Sequence, residues 1–94
     1  MFAYTKAIKI KPDYARAHYN IGNLFSKQGM FNKVIGHYLE ALRIRPDFVE
    51  AHFALGSTYI IIGDNKSALK EYKILKGLNP DLANLLFNKI SWRD

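Results

Sequence analysis

A chain of 94 residues has room for one small domain, and 49% apolar against 23% charged residues describes a globular chain and excludes a disordered one. The absence of cysteine excludes a disulfide framework and thiolate metal sites and fits a cytoplasmic setting, while a net charge of +6 attracts acidic partners strongly only where the cations gather on one face, and here they are scattered. Lysines break up the N-terminal MFAYTKAIKIK, and no run approaches the roughly 20 apolar residues of a membrane span, so neither a secretory leader nor a membrane partner is expected.

Taken in chain order, the apolar spacing predicts helices at 2–11, 14–28, 31–44, 48–62, 65–78 and 81–91. The stops between them recur. Pro12, Pro46 and Pro80 are evenly spaced, and the same interval separates Gly22 from Gly56 and Gly29 from Gly63. Proline blocks a helical predecessor and donates no backbone hydrogen bond, so each closes one unit and opens the next. Gly29 and Gly63 stand where a helix C-terminus needs a left-handed residue. Asp64 is placed to cap the helix that follows, whereas Met30 in the matching slot cannot, which leaves Asn32 as a candidate cap and a less sharply defined start. Within the helices, His18, Ile21, Gly22 and Phe25 make one buried stripe, Ala68, Leu69, Tyr72 and Leu75 another, and Leu82, Leu85, Leu86 and Ile90 a third.

The segments AHYNIGNLF…VIGHYLEALRIRP and AHFALGSTY…ALKEYKILKGLNP resemble the tetratricopeptide repeat, with Ile21, Gly22, Phe25, Val34, Tyr38, Ala41 and Pro46 in the signature slots of the first unit. Leu55, Gly56, Tyr59, Ala68, Tyr72 and Pro80 fill those of the second. His18 and His52 take the slot the family usually gives to tryptophan and read as aromatic fillers. The resemblance implies an all-α, right-handed solenoid of antiparallel helix pairs. Residues 1–14 read as the second half of a preceding repeat, 15–48 and 49–82 as two full repeats, and 83–94 as a C-terminal capping helix.

No catalytic constellation is present. The glycines do not cluster as in a phosphate loop, Ser57 falls mid-helix, and His18, His37 and His52 lack the spacing of a metal site, so no enzyme activity, metal or cofactor is expected. Family members bind peptides on the face of their first helices, and the resemblance places Arg16, Tyr19, Asn20, Asn23, Lys27, Phe53, Ser57, Phe87 and Asn88 in that groove. Tyr19, Phe53 and Phe87 recur at the interval of the prolines, with asparagine amides beside them that can donate to and accept from a peptide backbone. The expectation is a non-enzymatic scaffold for a protein or peptide. Self-association through Ile60, Ile61 and Ile62 is the alternative, and nucleic-acid binding ranks below both because the aromatics point away from the lysine stripe at Lys66, Lys70 and Lys73.

Overall fold

The structure is a computed structural model and describes residues 13–91, so the helix expected over 2–11 and the preceding half repeat lie outside the described residues. Five helices follow one another: α1 (Tyr14–Lys27), α2 (Phe31–Ile44), α3 (Val49–Ile61), α4 (Asn65–Leu78) and α5 (Pro80–Ser91). No strand occurs among the described residues. Each helix packs on the next, and α3 also meets α5. The fold is an all-α solenoid of paired helices.

The turns follow from their residues. Gly29 at φ 73° and Gly63 at φ 84° adopt the left-handed conformation that closes the α1–α2 and α3–α4 turns, where a side chain would be strained. Asp13 caps α1 by accepting from the Arg16 amide at 3.0 Å, and Asp64 caps α4 by accepting from the Ser67 amide at 3.1 Å. Met30 precedes α2 with no side-chain bond, and Asn32 lies inside that helix rather than capping it. Pro80 occupies the first position of α5, where its missing N–H costs nothing, and the Asn79 side chain accepts from the Leu82 amide at 3.2 Å.

Two close approaches set the pairing of helices. A Cβ on Gly22 would fall 2.6 Å from the Tyr38 ring, and one on Gly56 would fall 2.6 Å from Leu86 Cδ2 and 3.2 Å from Glu71 Cβ. A side chain at Gly22 would displace the Tyr38 ring, and one at Gly56 would displace the end of Leu86. The core follows the chain as linked clusters. Ala15, Ala41, Phe48 and Ala51 join the α1–α2 pair to α3, and Val34 and Tyr38 press on Leu55. Ile60, Ala68, Leu75, Ala83, Leu86 and Ile90 join α3, α4 and α5.

Three expected core residues face outward instead. Ile21, Leu69 and Leu85 are exposed. On α5 the buried positions are Ala83, Leu86 and Ile90, spaced by three and four, which leaves Leu85 on the flank. Ile21 is more than a third exposed and belongs to none of the core clusters.

Candidate functional site

The residues expected in the groove divide by depth. On α1, Arg16, Asn20 and Lys27 are exposed, while Tyr19 is half-buried with its ring 5.7 Å from that of Tyr38 and 5.1 Å from that of Phe48. The Arg16 guanidinium lies 5.9 Å from the Tyr19 ring and 5.0 Å from the Phe48 ring, and that of Arg45 lies 4.4 Å from Phe48. These cations are held by aromatic faces rather than swinging freely. Arg45 is further fixed by the Asp13 carboxylate at 3.1 Å.

Asn23 is half-buried and accepts through Oδ1 from the Tyr38 hydroxyl. Burial, and then the neighbouring Tyr19, push the Tyr38 phenol up to about 12, so it remains a donor to Asn23. That leaves the Asn23 NH2 as its offering to a partner.

On α3, Phe53 is half-buried against the core and the Lys89 ammonium stands 5.8 Å from its ring. On α5, Phe87 is 42% exposed while resting on Tyr72 at 4.9 Å, and Asn88 is exposed beside it. The aromatic row is therefore graded, with Tyr19 and Phe53 showing edges and Phe87 a larger surface. Two expectations need correcting. Ser57 Oγ is buried and makes no hydrogen bond, so the hydroxyl is shielded from any groove ligand. Ile60 is buried in the cluster with Leu75, Leu86 and Ile90, because α4 and α5 both close over that side of α3, and only Ile61 and Ile62 of the three isoleucines are exposed.

Sequence alone reads His18 and His52 only as ring-for-ring fillers, and the structure gives them more to do. His52 is buried, with Nδ1 2.6 Å from Glu71 Oε1 and Nε2 2.6 Å from the Pro46 carbonyl oxygen. Both partners accept, so both ring nitrogens must donate, which only the imidazolium can do. Burial alone would push the proton off. The Glu71 hydrogen bond, then the Pro46 carbonyl and the charges of Glu71 and Asp47, outweigh it and hold His52 above the ordinary histidine value. One repeat earlier, His18 Nδ1 meets His37 Nδ1 at 3.1 Å, and His37 also stacks on Phe25 at 5.6 Å. Among the described residues no group of three or more metal-ligating side chains comes together, and no helix is long and apolar enough to cross a membrane.

Stacked helix pairs, with glycine at two close approaches, define a helical-repeat scaffold. Two models of the tetratricopeptide repeat match the chain, over residues 15–48 and 37–70, together more than half of its length. The chain belongs to the tetratricopeptide repeat family. Repeats of this family generally mediate protein–protein interaction and are typically non-catalytic. No curated protein matches the chain significantly.

Proposed function

We propose that the face formed by α1, α3 and α5 holds an extended peptide or a partner helix. The observation that carries this reading is the row Tyr19, Phe53 and Phe87, one aromatic per first helix, each anchored on a core ring or cluster and partly open to solvent. Anchoring matters because a ring already fixed loses little freedom when a partner covers it. Asn20, the Asn23 amide and Asn88 flank the row with groups able to bond a peptide backbone, while Arg16, Lys27 and Lys89 favour acidic side chains over basic ones.

The test is a peptide-array screen with the full chain, repeated with Phe87→Ala and Asn20→Ala. Both residues are exposed, so their loss leaves the core intact. Hits should weaken about tenfold with each variant, an ordinary effect for an interface anchor. Hits unchanged in both variants would rule out this face.

Self-assembly is the second reading, favoured by Ile61 at 59% and Ile62 at 47% exposure side by side at the end of α3. Light scattering that finds a monomer at every concentration would sink it.

A further inference from the structure

His18 on α1 and His37 on α2 are distant in the chain, yet their Nδ1 atoms stand 3.1 Å apart across the contact of the two helices. Among the described residues neither ring makes another hydrogen bond. His52 is the contrast, because Glu71 and the Pro46 carbonyl occupy both of its nitrogens. Stacking holds the pair in place: the His37 ring lies on that of Phe25 at 5.6 Å and 17°, and on that of His18 at 5.4 Å and 26°. Both histidines are half-buried, so solvent reaches them.

We infer that His18 and His37 form a two-imidazole clip for a divalent transition-metal ion such as zinc, bound by the two Nδ1 atoms. A hydrogen bond between two imidazole nitrogens already directs both at one shared proton, and the ion takes that proton's place. Imidazole ligates zinc at about 2.0–2.1 Å, so nitrogens 3.1 Å apart subtend about 98° at an ion seated about 1.3 Å off the line joining them. That angle lies between about 90° for octahedral and about 109° for tetrahedral coordination. Imidazole suits zinc, copper and nickel rather than magnesium or calcium, which sets the class of ion. No third ligating side chain joins the pair among the described residues, so water completes the coordination. The surrounding charges divide. The Lys33 ammonium, 5.7 Å from the Phe25 ring, opposes a cation, and the Glu40 carboxylate, one turn beyond His37, favours it. The Arg43 hydrogen bond, and more weakly the charges of Arg43 and His18, hold Glu40 below the usual carboxylate range, so it stays ionised beside the pair. A bound ion would clip α1 to α2. Neither histidine belongs to the aromatic row, so the clip stands or falls apart from the proposed groove.

Zinc chloride titrated into the full chain by calorimetry, slightly above neutral pH, provides the test. One ion per chain should bind, with saturation below millimolar zinc. His18→Phe and His37→Phe should each weaken uptake about tenfold or more, because a single imidazole no longer chelates. A readout on the wild type keeps the test decisive should either variant unfold: in NMR of the histidine ring nitrogens, the Nδ1 signals of His18 and His37 should shift with zinc while both nitrogens of His52 stay unchanged. No binding at millimolar zinc overturns the inference. Binding undiminished in either folded variant, or binding that leaves the two Nδ1 signals unmoved, also overturns it and marks an adventitious ion held elsewhere on the surface.

Discussion

His52 and Glu71 form a buried pair at 2.6 Å, and His18 and His37, in the same two slots of the preceding repeat, form its counterpart at 3.1 Å with opposite proton demands. In the later repeat the ring must carry both protons to serve Glu71 and the Pro46 carbonyl. In the earlier one two nitrogens face each other, and a hydrogen bond exists only while one of them is bare.

The His52 pair predicts stability that declines with rising pH. Its folded value is raised above the ordinary 6.5 that applies once the chain unfolds. Its contribution is therefore complete below about 6.5 and is lost as the pH climbs through the raised folded value. Thermal midpoints measured upward from pH 6 should fall through that window. His52→Phe should flatten the slope and cost about 3 kcal/mol at pH 6, because it leaves the Glu71 carboxylate buried without its partner.

His18→Phe predicts a different outcome. His18 is half-buried with its ring stacked on that of His37, so a phenyl ring keeps that contact and forfeits one hydrogen bond. The expected cost is about 1 kcal/mol in urea denaturation, with peptide binding unchanged. A loss as large as that of His52→Phe would show that the two pairs are equivalent after all.

The repeat period made the described helices legible to within about one residue at most ends, since proline and left-handed glycine mark boundaries by backbone chemistry alone. Depth was less legible. Apolar spacing says which side of a helix faces inward, but how far in depends on what lies across from it. Ile60 is buried in the cluster of α3, α4 and α5, while Ile21 joins no core cluster and is left 37% exposed. Side-chain partners were least legible, because His52 and Glu71 lie far apart in the chain on different helices. A signal was available: residues 37 and 71 occupy one slot, and that slot is polar in both repeats.

The glycines predict a sign change among alanine substitutions. Gly22→Ala drives a methyl into the buried Tyr38 ring, which is held by Asn23 and cannot retreat, and should cost about 1–3 kcal/mol. Gly36→Ala, mid-helix on α2 with no atom within 4 Å of the added carbon, should instead gain about 0.5–1 kcal/mol from lower backbone entropy in the unfolded chain. Chemical denaturation midpoints moving in the same direction for both would refute the contact at Gly22.

The two unit turns predict a gain at one cap and a loss at the other. Asp64 accepts from the Ser67 amide and hydroxyl, and these bonds hold its carboxyl below the usual carboxylate range. Asp64→Ala should lower the melting temperature at neutral pH, and the difference from wild type should vanish in acid once the carboxylate of the wild type is protonated. Met30 occupies the same slot with no such bond, at a backbone of φ −92° and ψ 68° that nearly matches the −97° and 74° of Asp64. Met30→Asp therefore needs no rearrangement to accept from the amides at the start of α2, and it should raise stability by about 1 kcal/mol at pH 7. The gain should also disappear in acid, because a protonated side chain accepts weakly and no longer complements the positive end of the helix. A gain that persisted at low pH would trace to the loss of exposed methionine surface, and the capping argument would fail.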